Sequence, residues 1–89
     1  MKTLTQLKKD LVKGHRLLLI QSRPSHPFLG RERYIHTIDS TGIYLNTDME
    51  LVRKGSFLKF PKASELTYEG DTFSIDSGYG EILTYKIIK

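Results

Sequence analysis

The sequence predicts a mostly β, α+β domain: an N-terminal helix packed on a curved antiparallel sheet, or a small open barrel, of about six or seven strands. Three observations carry this. Helical periodicity is confined to the first thirteen residues. Short apolar runs broken by Gly and Pro follow it. The last third alternates apolar and polar residues around two glycine-bearing turns. With 89 residues the chain is expected to form a single domain, 1–89, with one modest core.

Residues 3 to 13 read as the helix. Leu4, Leu7, Leu11 and Val12 fall at i, i+3, i+7 and i+8 and make one apolar stripe. Thr3 and Gln6 have the spacing of a capping box, and Gly14 stands where a left-handed residue would end the helix. Arg16 to Ser22 reads as a buried strand around the run Leu17-Leu18-Leu19-Ile20. Pro24, Pro27 and Gly30 deny residues 23 to 30 regular pairing, so this stretch reads as an exposed loop. Arg31 to Asp39 follows as a strand, Ser40-Thr41-Gly42 as a turn and Ile43 to Asn46 as the return strand. Residues 47 to 56 read as a polar loop, with one helical turn open to residues 48 to 52. Phe57 to Phe60 is a short strand halted by Pro61, and Pro61 to Glu65 suits a single turn.

The C-terminal hairpins are specified more sharply. Gly first in the two-residue loop Gly70-Asp71 signals a type II′ turn. That register opposes Glu69 with Thr72, Tyr68 with Phe73 and Leu66 with Ile75. A three-residue loop Gly78-Tyr79-Gly80, with Gly80 left-handed, opposes Ser77 with Glu81, Ile75 with Leu83 and Phe73 with Tyr85. Both registers put apolar partners on one face, as a half-buried sheet requires. The expected core is Leu66, Tyr68, Phe73, Ile75, Leu83, Tyr85 and Ile87, covered by Leu4, Leu7 and Leu11.

Charge is unevenly placed. The formal net charge is +4. Residues 1 to 36 hold eight basic side chains (Lys2, Lys8, Lys9, Lys13, Arg16, Arg23, Arg31, Arg33) against Asp10 and Glu32, a net +6. Residues 37 to 89 hold six basic and eight acidic, a net −2. Such asymmetry suits a surface for a polyanion or an acidic partner, and equally a soluble basic domain whose charges are merely solvated. No apolar run approaches the roughly 20 residues of a membrane helix, so no membrane partner is expected. The chain has no cysteine, and its start lacks a charged-then-apolar signal pattern. The expected location is cytoplasmic.

Chemistry is sparse. His15, His26 and His36 lack the spacing of a zinc module, and neither a metal nor another cofactor is expected. Ser25-His26 are only sequence neighbours, and Ser77-Gly78-Tyr79-Gly80 joins two strands rather than a strand and a helix, unlike a nucleophile elbow. No catalytic residue is assigned. A metal-independent phosphodiesterase using His26 and His36 is a distant alternative. Nucleic-acid binding fits better: Arg23, Arg31, Arg33 and Lys13 could track phosphates, and Phe28 or Tyr34 could stack on a base. Residues 53 to 62 repeat this basic and aromatic mixture. There, strand alternation alone explains the pattern, and Phe57 and Phe60 suit a core better than a platform. The candidate contact set is Arg23, His26, Phe28, Arg31, Arg33 and Tyr34, with Lys54 and Lys59 secondary.

The segments "GHRLLLIQS", "STGIYL" and "SFLKFPKASEL…DTFSI…LTYKII" resemble small proteins of bacteriophages and integrative elements of Gram-positive bacteria. The resemblance covers about two thirds of the chain and rests on packing and turn residues. It implies a fold and a setting rather than a chemistry. The leading expectation is a non-enzymatic binding protein of a phage or mobile element, acting in the host bacterial cell on the surface of a host protein or ribonucleoprotein. An anti-defence inhibitor such as an anti-CRISPR is one form of this. The alternative is a basic nucleic-acid-binding module.

Overall fold

A computed structural model describes residues 2–50, 55–76, 78 and 80–89. One N-terminal helix, α1 (Leu4–Asp10), precedes seven strands: β1 (Arg16–Arg23), β2 (Glu32–Ile38), β3 (Gly42–Asn46), β4 (Ser56–Lys59), β5 (Leu66–Glu69), β6 (Thr72–Asp76) and β7 (Ile82–Ile88). They form one antiparallel sheet in the order β4-β3-β2-β1-β7-β6-β5. Two meanders, β1 to β4 and β5 to β7, are joined because β7 returns to pair with β1. The sheet is open, as the fold class expected.

The helix is shorter than its apolar stripe predicts. Thr3 caps it by accepting from the Gln6 N–H at 3.2 Å. The reciprocal half of the box is absent, because the Gln6 amide donates to Asp10 Oδ1 at 2.9 Å. Leu11 already has extended backbone, and Val12 is exposed. The ladder with β2 explains the early stop: the Gly14 N–H bonds Ile35 O, and Ile35 N–H bonds His15 O. Gly14 does have a positive φ of 93°, but it serves that turn rather than the helix end.

β1 also departs from expectation. Leu17 and Leu19 are fully buried, whereas Ile20 is 46% exposed. Pairing with β7 slips between Leu19 and Gln21, so Ile20 is the extra residue of a bulge. A second slip, between Ile35 and Thr37, makes His36 the extra residue of β2. Bulges bend strands and raise twist, and the helix contacts show the result. The Lys2 N–H bonds Tyr68 O on β5, while Lys8 Nζ lies 5.1 Å over the Phe60 ring just past β4. A flat sheet would hold β4 and β5 roughly 29 Å apart at about 4.8 Å per strand. A seven-residue helix is only about 10 Å long. The sheet therefore curls around α1.

Both C-terminal registers are those the sequence predicts. Glu69 opposes Thr72, Tyr68 opposes Phe73, Ile75 opposes Leu83 and Phe73 opposes Tyr85. Gly70 has a φ of 59° and Gly80 of 83°. The expected pair of Ser77 with Glu81 lies outside the described residues, as do residues 51 and 52 of the optional helical turn at 48 to 52. The core holds Leu7, Leu11, Leu66, Tyr68, Phe73, Tyr85 and Ile87 as expected, with Leu4, Ile75 and Leu83 at its margin. It adds Leu17, Leu19, Ile35, Ile43 and Leu45 from β1 to β3. Phe60 packs against this core, but Phe57 does not: it is 46% exposed and meets Tyr44 in a tilted ring contact at 5.0 Å on the outer face.

Candidate functional site

Residues 24 to 31 leave the C-terminal end of β1 and fold back over one end of the core face. The connection is held by bonds within itself and by bonds to β1. The Leu29 N–H bonds His26 O, the Arg31 N–H bonds Phe28 O, and the Phe28 N–H donates to His26 Nδ1 at 3.1 Å. That last bond makes Nδ1 an acceptor and leaves the ring proton of a neutral His26 on Nε2. Three bonds tie the loop to β1: the Gly30 N–H to Leu19 O at 2.7 Å, the Leu19 N–H to Arg31 O at 3.4 Å, and the Ser22 hydroxyl to Pro24 O at 2.5 Å. Arg23 and Arg31 are exposed, and His26 and Phe28 are half-buried. Arg23 and His26 line a shallow cleft with Pro24, Glu81 and Leu83.

Arg33 lies beneath this loop. It opposes Leu17 in the β1–β2 ladder and precedes Ile35 by two residues, so strand parity turns it to the core face. It is only 4% exposed. Its guanidinium sits 4.3 Å from the Phe28 ring centroid, and its Nη2 donates to the Tyr85 hydroxyl at 3.4 Å. Among the described residues no carboxylate pairs with it. Burial lowers the Arg33 pKa from its ordinary value, opposed by Tyr85. Burial likewise raises the Tyr85 pKa, opposed by Arg33. An aromatic file continues across the sheet. Phe73 stacks on Tyr85 at 5.5 Å, and Tyr68 meets Phe73 edge-on at 6.3 Å. The Tyr68 hydroxyl then donates to Asp10 Oδ2 at 2.6 Å.

The structure thus gathers Arg23, His26, Phe28, Arg31 and Arg33 at one end of the sheet and separates the other candidates. Arg33 is buried rather than presented on the surface, because alternation along β2 gives it the same face as Ile35. Tyr34, next to it, takes the outer face and opposes Arg16. Lys59 is exposed on the edge strand β4, two strands from β2. Lys54 lies outside the described residues. His36 sits at the β2 bulge with its Nδ1 2.8 Å from Thr37 Oγ1. It is five residues past Arg31, or roughly 16 Å of extended chain. Sequence reasoning missed Tyr85 and Glu81 as members of this corner. The parity of Arg33 with Ile35 was a usable signal for the first. Nothing local pointed to the second, which arrives through β7 pairing with β1.

The basic N-terminal segment is not one free patch. Lys2 donates to Gly70 O at 2.6 Å, Lys8 stacks on Phe60, Arg16 pairs with Glu32 at 3.5 Å, and Arg33 is buried. Arg16 also points away from α1, being adjacent in β1 to the core-facing Leu17. Among the described residues no three His, Cys, Asp or Glu side chains gather as a metal-ligand set, and no helix is long and apolar enough to cross a membrane. Comparison with protein-family models, curated proteins and solved structures finds no match.

Proposed function

We propose that this chain is a non-enzymatic binding protein that recognises the surface of a host protein or ribonucleoprotein through the 23 to 31 connection. The observation that carries the reading is the composition and placement of that connection. Two exposed arginines, a half-buried imidazole and a half-buried phenyl ring share one loop at the end of the sheet, and Arg23 and His26 of this set line a cleft. Recognition residues commonly occupy such loops, and aromatic and Arg side chains are the usual anchors of protein interfaces. A phage or mobile-element origin, with anti-CRISPR activity as one form, is part of this reading and rests on the sequence resemblance. Nucleic-acid binding is the competing reading, favoured by the same exposed arginines beside Phe28.

The test is affinity capture from bacterial lysate with and without nuclease, using the natural chain and an Arg23→Ala, Arg31→Ala variant. The proposal expects one host protein to survive nuclease and to be lost from the variant. Capture of nucleic acid alone, or of proteins equally well retained by the variant, overturns it.

A further inference from the structure

We infer that Arg33 and Tyr85, beneath Phe28, form an anchor subsite for a single carboxylate side chain of the partner protein. This deepens the reading above and rests on it. The argument is one of donors and acceptors. Guanidinium carries five N–H donors in a planar fork, and at Arg33 only one of them has a protein acceptor, the Tyr85 oxygen at 3.4 Å. Having received that bond, the phenol has its own O–H to give, and no described residue accepts it. Arg33 and Tyr85 therefore keep N–H and O–H donors that no described residue accepts, and the unbonded Arg33 nitrogens are not sealed from solvent, since the one fully buried side-chain atom without a partner among the described residues is His15 Nδ1. The Arg33 guanidinium carbon lies 4.3 Å over the Phe28 ring centroid, a cation–π contact that supplies no anion. A buried cation without an anion is costly. Its complement is a planar oxyanion, which the fork can hold through two parallel hydrogen bonds.

The neighbourhood selects a carboxylate over a nucleic-acid strand. Glu81 lines the adjoining cleft. Its negative charge disfavours a continuous polyanion but leaves room for one side chain. Only Arg23 and Arg31 remain exposed beside the site, too few to track many phosphates. Access requires the Phe28 segment to shift; the bonds of His26, Phe28 and Leu29 lie within the loop, whereas Pro24, Gly30 and Arg31 at its two ends stay tied to β1, so the ring can move without breaking the pairing of the sheet.

The experiment is an NMR titration of the isotope-labelled full chain, following each arginine Nε–Hε resonance. Acetate, inorganic phosphate and a short oligothymidylate are added in separate series. We expect a saturable shift at Arg33 with acetate, only linear drift at Arg23 and Arg31, and no comparable saturation with the oligonucleotide. In Phe28→Ala, which uncovers the fork, acetate should bind about five- to tenfold more tightly, because less of the protein is held closed. No saturation at Arg33 with acetate overturns the inference and leaves the capture result standing on its own. Tighter saturation by oligothymidylate or phosphate than by acetate overturns the carboxylate assignment. Acetate affinity unchanged or weakened in Phe28→Ala overturns the covering role of that ring. A saturable acetate site with no host protein captured supports the subsite and defeats the functional reading instead. The wild-type titration needs no substitution at Arg33, so a folding defect in a variant cannot mask the result.

Discussion

A guanidinium, a phenol and a phenyl ring share the loop end of the core, and each constrains the others. Removing one member of a buried donor–acceptor pair strands the other, whereas removing both can be nearly neutral. Tyr85→Phe alone should therefore lower stability by about 1–2 kcal/mol, since Arg33 loses its one acceptor. Adding Arg33→Met should restore the urea midpoint to within about 1 kcal/mol of the natural chain, because no buried charge remains. A double variant no better than Tyr85→Phe would show that Arg33 contributes mainly through packing. Tyr85→Ala differs in kind. It deletes a ring in contact with Phe73 and should cost about 3 kcal/mol or more. Alkaline pH acts on the same groups. Burial raises the pKa values of Tyr68 and Tyr85 above the ordinary 10.0. Their contribution is fully present below pH 10. It is lost as pH rises further, where the unfolded chain releases phenolic protons that the folded chain retains. Urea midpoints measured upward through pH 10 should fall, and more shallowly in Tyr68→Phe.

At the scale of elements, two ties hold α1 inside the curled sheet. Tyr68 on β5 donates to Asp10, the last residue of α1, and Lys2 donates to Gly70 in the turn after β5. The Tyr68 hydrogen bond, then that from Gln6, holds the Asp10 pKa below 3.8. A depressed carboxylate stabilises the fold above its unfolded pKa, and that stability is lost as pH falls through the folded one. Asp10→Asn should therefore flatten the acid limb of the stability profile below about pH 4, measured by urea melts. The strands have their own sensitive points. A Cβ at Gly42 would collide with Leu58 O, and would lie 2.7 Å from Phe57 Cζ and 2.9 Å from Lys59 Cα. Two of these are backbone atoms of the β4 edge, which cannot rotate aside. Gly42→Ala should cost about 2 kcal/mol, as forced overpacking does, and should weaken hydrogen-exchange protection along β4. Gly80 meets nothing at its Cβ position, but its φ is 83°. Gly80→Val should cost roughly 1–2 kcal/mol through the backbone alone, with a lowered melting midpoint as the readout.

At the scale of the whole molecule, the uneven charge of the sequence is divided in space. Four of the eight basic residues in the +6 segment are taken up within the fold, and the exposed Arg23 and Arg31 sit at the loop end. Salt dependence of binding should accordingly be shallow. Were nucleic acid the partner, Arg23→Ala with Arg31→Ala would flatten the logarithmic salt slope by about one unit per lost phosphate contact, slightly less on single strands. For a protein partner, bare single-stranded nucleic acid should bind weakly from the outset, and the double variant should lose only the protein.

Local pattern determined a good part of this molecule. The Thr3 cap, the two C-terminal registers and the left-handed Gly80 follow from spacing and turn chemistry within a few residues, and all are present. Hydrophobic alternation also identified the ring-rich half of the core. Partners distant in sequence decided the rest. Competition from the β1–β2 ladder ended α1 at Asp10, because Gly14 and His15 pair with Ile35 instead of continuing the helix. Bulges at Ile20 and His36 set which apolar residues face outward and how the sheet curls, and nothing in the local pattern demands them. The candidate site shows the same division. The sequence marked residues 23 to 34 as unusual from composition alone. Which of their side chains lies under the loop and which on the far face depends on strand parity. That Arg33 finds Tyr85, 52 positions further along the chain, depends on β7 returning beside β1. Turn and capping energies are local and therefore legible, whereas the environment of a buried charge is assembled only by the closed tertiary contacts around it.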